Sequence, residues 1–316
     1  SAHAAFDKAC QYLCIRCIEV PVDAVTFQVD VAAVRKAVTR NTIAVVASAI
    51  SFPQGVMDDI PALADIAVAN GCGLHVDNCL GSLLLPFLPA AGYPTRPFDF
   101  AVKGVTSISA DTHKFGYAPK GSSVVLYASQ ELRAFQFSIA PDWMGGIYAT
   151  PALAGSRPGS LIAATWGVMM YMGKAGYTAY ARLIMAASKT IEHGIREMEG
   201  LELLGAPDMS VVCFTTVDKT VNIFNVGDAM HRLGWELSSL QFPPCLHLCV
   251  TQIHTAEGLP ERFLSDLAQA YRTVITAKPG EFKDDAGAIY GMAASIPDRS
   301  MVSDVAVTYL NALYTA

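Results

Sequence analysis

The sequence predicts an α/β fold with a mostly parallel sheet, and three observations support that prediction. Between residues 12 and 129, short apolar segments alternate with helical stretches that turns separate, which is the order that βαβ units produce. Hydrophobic residues make up 52% of the 316 residues, so the chain can bury a large core. Only 16% of the residues are charged, and this composition argues against a long disordered region.

The apolar segments and the amphipathic stretches locate the elements of this sheet. The predicted strands cover 14–20, 42–49, 73–77, 105–110 and 122–127, and the predicted helices cover 31–40 and 60–70. Strands that alternate with helices form a parallel sheet covered on both faces. Ligands in such sheets bind beyond the carboxyl ends of the strands, so we expect the chemistry in the residues that follow each strand.

The second half of the sequence predicts a smaller unit. A turn-rich segment at 145–159 precedes a long helical stretch at 161–200. The elements predicted further on are strands at 209–217 and 246–253, helices at 226–234 and 260–276, and a polar loop at 278–285. We therefore expect three parts, which are a large domain over 1–160, a connecting helix over 161–200 and a small C-terminal α/β domain over 201–316.

The charge and cysteine patterns narrow the classes of partner. The net charge is −6 and no block of five like charges occurs, so no nucleic-acid partner is expected. No apolar run reaches the ~18 residues that a membrane-spanning helix needs. Cys10, Cys14 and Cys17 form the one cysteine cluster, but no fourth ligand follows at a zinc-site spacing, so no metal site is expected. Reduced cysteines are typical of a cytosol-like compartment.

Polar residues follow two predicted strands in a pattern that suits pyridoxal 5'-phosphate (PLP) chemistry. Asp77 ends the strand at 73–77, and Lys114 follows the strand at 105–110. A PLP site needs a lysine amine to bond the cofactor's aldehyde, and a carboxylate to keep the ring nitrogen protonated. Spacing alone leaves an ordinary interpretation open, in which Lys114 is a solvated loop residue and Asp77 merely ends a strand.

The sequences of several segments favour the PLP interpretation over the ordinary one. The segment GVTSISADTHKFGYAPKGSSVVLY at 104–127 resembles the cofactor-lysine segment of the sphingosine-1-phosphate lyase family, in the group II decarboxylase branch of fold-type I PLP enzymes. Other segments resemble the same family in the same order, namely SAHAAFDKA, GLHVDNCLGS, DWMGGIYATPALAGSRPG, LQFPP and GAIYGMA. The resemblance covers essentially the whole chain and implies the fold-type I architecture, with PLP as cofactor.

The resemblance also implies roles for individual residues at the cofactor. Lys114 would form the Schiff base with PLP, and Asp77 would pair with the pyridinium nitrogen. His3 would stack on the ring face, and His113 would contact the cofactor phosphate. Lys114 and Lys120 are both candidates for proton transfer, and Lys114 is the better one, because two nearby phosphates would raise the pKa of Lys120.

Further residues are implied for the substrate and for a neighbouring subunit. Lys120 and Ser156 would hold a phosphate group of the substrate, and Tyr290 would cover the active site. Tyr148 and the turn at 145–146 would approach the cofactor of a second subunit, which implies a homodimer with shared sites. Asn78 and Ser82 depart from the small residues around the HVD segment of the family, and this places the packing of the ring in doubt.

The implied reaction cleaves the C2–C3 bond of a phosphorylated long-chain base and releases a fatty aldehyde and phosphoethanolamine. One alternative is an amino-acid decarboxylase on the same fold. Another is a catalytically incomplete PLP-fold subunit, because the glycine-rich stretch that binds the cofactor phosphate is expected upstream of Ser1. A cytosol-facing location is expected, at the endoplasmic reticulum membrane through an upstream anchor in eukaryotes, or in the cytoplasm in bacteria.

Overall fold

Four strands in the first half of the chain form the sheet that the sequence predicts. The computed structural model describes residues 1–278, 282 and 298–315. These form two units, of which the first comprises Ser1–Ala186 with Gly205–Ser210 and the second comprises Ala187–Leu204 with Val211–Ala316. In chain order the elements that begin in the first unit are α1 (Ala5–Tyr12), α2 (Val31–Ala37), β1 (Ala44–Ser48), α3 (Ile60–Asn70), β2 (Gly73–Asp77), α4 (Leu88–Ala91), β3 (Val105–Ala110), β4 (Val124–Tyr127), α5 (Gln130–Ala134), β5 (Ser138–Ala140), β6 (Tyr148–Thr150) and α6 (Gly159–Glu197).

The main sheet of the first unit has the order β1-β2-β3-β4. Strands β1, β2 and β3 are parallel, and β4 returns antiparallel to β3. Ser48, Asp77 and Ser109 lie side by side in the register at the carboxyl ends of the parallel strands. This shared edge is where the sequence predicts the chemistry, and the mostly parallel sheet of the fold-type I prediction is confirmed.

Helix α3 shows how the sequence defines the ends of an element and its packing. Its N-cap Asp59 accepts a hydrogen bond from the backbone N of Ala62, and Gly71 ends it in the left-handed conformation at φ 64°. The buried side chains of α3 include Leu63 and Ile66, and the helix packs on β1 and β2. Burying each such side chain contributes roughly 1.5–3 kcal/mol to the stability of the fold. The packing of α3 therefore holds β2, and Asp77 at its end, in position.

The predicted strand at 14–20 is wrong. After α1 the chain turns at Cys14, where φ is 53°, and continues without forming a strand. Leu13 and Ile18 are exposed. An apolar segment becomes a strand only when another strand pairs with it, and no described residue pairs with this segment.

The second unit contains an antiparallel sheet of order β7-β8-β10-β9. Its elements are β7 (Leu201–Leu203), β8 (Val211–Thr216), α7 (Ile223–Arg232), β9 (Ser238–Leu240), β10 (Cys245–Cys249), α8 (Leu259–Thr276) and α9 (Arg299–Tyr314). Every residue of β8 is buried, and α7 packs against α8 and β10. The predicted strand at 246–253 ends earlier, because residues 252–255 form a 3-10 turn.

Two features concern the predicted long segments. Helix α6 accounts for most of the predicted helix at 161–200, and it bends at Gly173, whose φ of 55° lies outside the helical range. Membrane crossing requires a combination of length and apolarity that is found in none of the helices described. Most of the predicted loop at 278–285 lies outside the described residues.

Candidate active site

Asp77 is the last residue of β2 and is 7% exposed. Its Oδ1 accepts a hydrogen bond from the Ser109 hydroxyl at 2.8 Å and another from the backbone N of Cys79 at 3.0 Å. Ser109 is its register partner on β3. The sheet register therefore orients this carboxylate at the carboxyl edge.

Lys114 lies in the turn that follows β3. The backbone N of Lys114 donates to the Asp111 carbonyl at 3.3 Å, and the backbone N of Tyr117 donates to the Lys114 carbonyl at 3.0 Å. This winding brings the lysine side chain back over the strand end. Its Nζ lies 2.8 Å from Oδ2 of Asp111 and 3.2 Å from Sγ of Cys79.

Cys79 contacts both of the residues that the sequence predicts for the cofactor. Its thiol lies 3.2 Å from the Lys114 amine, and its backbone N donates to the Asp77 carboxylate at 3.0 Å. Asp77 and Lys114 thus converge on one residue, although 37 positions of sequence separate them.

The charges of this cluster support one another. Burial acts to lower the pKa of Lys114, but its hydrogen bonds to Asp111 and Cys79 and the negative charge of Asp111 outweigh burial, so the pKa is raised. Burial acts to raise the pKa of Asp111, and hydrogen bonds from Lys114 and Ser123 outweigh it, so this pKa is lowered. Burial and the charge of Asp77 raise the pKa of Cys79 to about 11, despite the opposing effect of Lys114. The thiol is therefore neutral near pH 7.

Two buried polar atoms on residues next to Asp77 and Lys114 in the sequence have no hydrogen-bond partner among the described residues. They are Nδ1 of His113 and Oδ1 of Asn78. A buried unpaired polar atom costs about 1–3 kcal/mol, so a ligand that offers partners would be stabilised here. The His113 ring, one residue before Lys114, fits the phosphate contact that the resemblance implies. Asn78 marks a departure from the family, and its side chain packs against the space beside Gly81.

His3 is exposed and precedes α1, and within the described residues its ring hydrogen-bonds the backbone N of Ala5. Helix α1 lies near β2, because the ring of Phe6 is 5.6 Å from the ring of His75. Burial lowers the pKa of His75, and its Nδ1 lies 2.8 Å from the Ser107 hydroxyl. The structure brings the helix that follows His3 to the strand of Asp77, but it gives no contact of the His3 ring with Asp77 itself.

Lys120 lies in the exposed turn before β4 and makes no ion pair with any described residue. The next residues pack on the start of α6. The Ser122 hydroxyl hydrogen-bonds Thr112, and it also lies 2.8 Å from the Thr165 hydroxyl. Ser156 is exposed three residues before α6 begins. Lys120 and Ser156 therefore both flank the first turns of one helix, although no direct contact between them is found.

Two other residues selected from the sequence are not in this cluster. Tyr148 starts β6 and is exposed, and the centre of its ring lies 6.1 Å from that of Trp143. Tyr290 lies outside the described residues. Sequence reasoning in turn missed Ser109, Cys79 and Asp111 as neighbours of Asp77 and Lys114. Only Asp111 had a signal in the sequence, since it precedes Lys114 by three residues in the same turn.

A family model described as the pyridoxal-dependent decarboxylase conserved domain matches residues 1–217. The chain belongs to the pyridoxal-dependent decarboxylase family. This membership confirms the prediction of PLP as the cofactor and agrees with a lysine and a carboxylate at the carboxyl edge of the sheet.

The chain is similar over nearly its whole length to sphingosine-1-phosphate lyases. The chain is 44% identical over 314 residues to a sphingosine-1-phosphate lyase of Drosophila melanogaster and 46% identical to one of Arabidopsis thaliana, in each case covering 99% of this chain and 57% of the relative. A solved sphingosine-1-phosphate lyase of Burkholderia pseudomallei is 40% identical with a TM-score of 0.87, covering 100% of this chain and 66% of that one. The resemblance predicted from the segments is confirmed. The chain spans a little more than half the length of these curated relatives.

More distant solved structures share the fold. A glutamate decarboxylase of Lactobacillus brevis is 20% identical with a TM-score of 0.76, over 88% of this chain and 65% of its own. At this identity the likeness confirms the architecture of the pyridoxal-dependent decarboxylase family and nothing finer.

Proposed function

We propose that the protein containing this chain is a PLP-dependent lyase that cleaves the C2–C3 bond of sphingosine 1-phosphate and related phosphorylated sphingoid bases, releasing a fatty aldehyde and phosphoethanolamine. The observation on which the proposal depends is the convergence of Lys114 and Asp77 on Cys79, whose thiol contacts the amine and whose backbone N donates to the carboxylate. The similarity to sphingosine-1-phosphate lyases over the whole chain supports this activity over others of the family.

The cofactor assignments follow from the cluster. When bound, PLP supplies an electron sink for the electron pair of the broken bond. Lys114 would hold the cofactor covalently, and Asp77 would hold the proton on the ring nitrogen. The unpaired Nδ1 of His113 supports a contact with the cofactor phosphate. His3 covers the ring face, and the contact of Phe6 with His75 supports the approach of α1 to this site.

Proton transfer falls to Lys114 rather than to Lys120. Lys114 would be the group that moves a proton at the 3-hydroxyl or at C2 of the substrate. Its half-buried position beside Asp111 favours it for moving a proton at these atoms. Lys120 is exposed and suits a second role better.

Lys120 and Ser156 hold the phosphate of the substrate. Lys120 offers a positive charge that no described residue neutralises, and Ser156 offers a hydroxyl just before α6 begins. The N-terminus of a long helix attracts anions through its unpaired backbone N–H groups. Tyr290 is proposed to cover the site.

A direct assay separates this proposal from the decarboxylase alternative. The full-length protein is incubated with a phosphorylated sphingoid base and, separately, with glutamate and with aromatic amino acids. Fatty aldehyde from the first substrate alone supports the lyase. Carbon dioxide without aldehyde would support a decarboxylase, and well-folded protein that lacks the visible absorbance of lysine-bound PLP would support a catalytically incomplete subunit.

The homodimer and the location belong to the same proposal. Exposed apolar side chains on 143–148 include Trp143, Met144 and Ile147, and these support a subunit contact that places Tyr148 near a neighbouring site. All eight cysteines are free thiols, which supports a cytosol-facing location. Membrane contact is proposed only through a segment upstream of Ser1.

A further inference from the structure

The partner of the Lys114 amine is Asp111, a residue to which neither the motif nor the family match assigns a task. Its Oδ2 lies 2.8 Å from Nζ of Lys114. The side chain of Asp111 is 14% exposed and that of Lys114 is 31% exposed. Exposed ion pairs contribute little to stability. This pair is partly shielded from water, and the attraction between two charges is stronger away from water.

Asp111 is held in place independently of the lysine. The Ser123 hydroxyl donates to its Oδ1 at 2.6 Å, and the Ser82 hydroxyl donates to its backbone carbonyl at 3.0 Å. Nε2 of His113 lies 3.7 Å from its Oδ2. Because these contacts do not involve Lys114, the carboxylate stays in place when the lysine amine moves away.

The covalent role proposed for Lys114 requires its amine to alternate between a bonded and a free state. A lysine bonded to an aldehyde is no longer the ammonium ion that pairs with a carboxylate, and only the neutral amine can form that bond. Between bonding events the amine is free and needs a partner. The second neighbour, Cys79, is a neutral thiol at 3.2 Å and cannot balance a positive charge.

We propose that Asp111 is a docking carboxylate that holds the Lys114 ammonium ion whenever that amine is not covalently bonded. Asp111 is thus a positioning residue that acts through Lys114, and Ser123 positions Asp111. This inference rests on the proposed function for the covalent role of Lys114. The titratable groups that face the amine are Asp111 and Cys79, with Asp77 and His113 each one contact further away.

Removing the Asp111 carboxylate should raise the reactivity of the Lys114 amine, whereas most active-site substitutions lower reactivity. Removing the carboxylate stabilises the neutral amine, because burial then acts unopposed by a negative charge. Asp111→Asn should therefore make Lys114 more nucleophilic at neutral pH. An opposite charge at this distance shifts a pKa by about one unit or more, so we expect roughly tenfold faster acylation of Lys114 below its midpoint.

The test measures the amine directly and needs no bound cofactor. Full-length protein freed of PLP is labelled with acetic anhydride across a pH series, and acetylation of the peptide that contains Lys114 is quantified by mass spectrometry. We expect the pH midpoint of Asp111→Asn to lie about one unit below that of the wild type. Equal midpoints would overturn the proposal.

Three further variants sharpen the result. Asp111→Glu keeps the charge and should keep the midpoint near that of the wild type. Ser123→Ala should shift it in the same direction as Asp111→Asn by a smaller amount, and it serves as the test if Asp111→Asn does not fold. Glu202→Gln removes the carboxylate partner of Lys219 in the second unit and should leave Lys114 unchanged.

The labelling test of Asp111 and the test of the proposed function can fail independently of each other. A wild-type protein that binds no PLP would remove the proposed function while the labelling result stands. A wild-type protein that cleaves the phosphorylated base but shows no shift in Asp111→Asn would overturn the docking role alone.

Discussion

Lys114 and Lys120 lie six residues apart in one loop, yet their surroundings differ in every respect that matters for chemistry. Lys114 is half-buried between Asp111 and Cys79. Lys120 is exposed and has no ion-pair partner among the described residues. The half-buried lysine suits the proposed covalent role and the exposed lysine suits the proposed binding of an anion, because the loop contacts the sheet edge at Lys114 and faces solvent at Lys120.

The strongest test of this contrast is Lys114→Ala. It removes both the covalent attachment and the proposed proton carrier, so aldehyde release should fall by at least about 10³-fold. The visible absorbance of bound PLP should disappear as well. Lys189→Ala is the matched control, since Lys189 pairs with Glu192 on the exposed face of α6 and should keep both signals. A Lys114→Ala protein with near-normal turnover would remove the proposed function.

Asp77→Asn addresses the other side of the same cluster. An amide keeps the shape and can still accept from Ser109 and Cys79, but it cannot hold a proton on the ring nitrogen by charge. We expect kcat for aldehyde release to fall by about 10²-fold, with PLP still attached to Lys114. Ser109→Ala removes one of the hydrogen bonds to this carboxylate and should give a smaller decrease in the same direction.

Lys120→Ala tests the exposed half of the comparison. A hydrogen bond to a charged group contributes about 1.5–3 kcal/mol, so KM for the phosphorylated base should rise roughly 10- to 100-fold while kcat changes little. Lys103→Ala removes another exposed lysine of the first unit and should leave KM unchanged. Turnover measured over a range of substrate concentrations separates the two parameters. A Lys120 variant that lost kcat alone would transfer this lysine from binding to catalysis.

The sequence predicted the frame around these lysines better than it predicted their contacts. The strands at 73–77 and 105–110 and the helix at 60–70 have the predicted bounds, because their apolar pattern and their caps are local signals. The strand at 14–20 failed because a strand also needs a partner, which no local pattern reveals. The order of the second sheet depends in part on the pairing of β8 with β10, whose partner residues lie more than 30 positions apart, and this pairing was likewise not predictable.

At the candidate site, too, the central residues were predictable from the sequence but their contacts were not. Asp77 and Lys114 could be proposed because Asp77 ends a strand, Lys114 follows one, and the resemblance of their segments to the lyase family implies their roles. The contact with Ser109 depends on the register between β2 and β3, and the contact with Cys79 depends on a side-chain direction after the strand ends. Neither is encoded in spacing, so the residues that orient the two central side chains emerged only from the structure.

Cys79 supplies the smallest and most specific prediction, because it contacts Lys114 and Asp77 but is not proposed to react. Alkylation requires the thiolate, and a pKa of about 11 leaves little thiolate at pH 8. In PLP-free protein, iodoacetamide should therefore modify Cys79 roughly 10²-fold more slowly than the exposed Cys14. Asp77→Asn removes a negative charge that raises this pKa, so it should speed the alkylation of Cys79 and leave that of Cys14 unchanged. Mass spectrometry of the two peptides measures both rates, and equal rates at Cys79 in the two proteins would mean that the Asp77 charge does not act on the thiol.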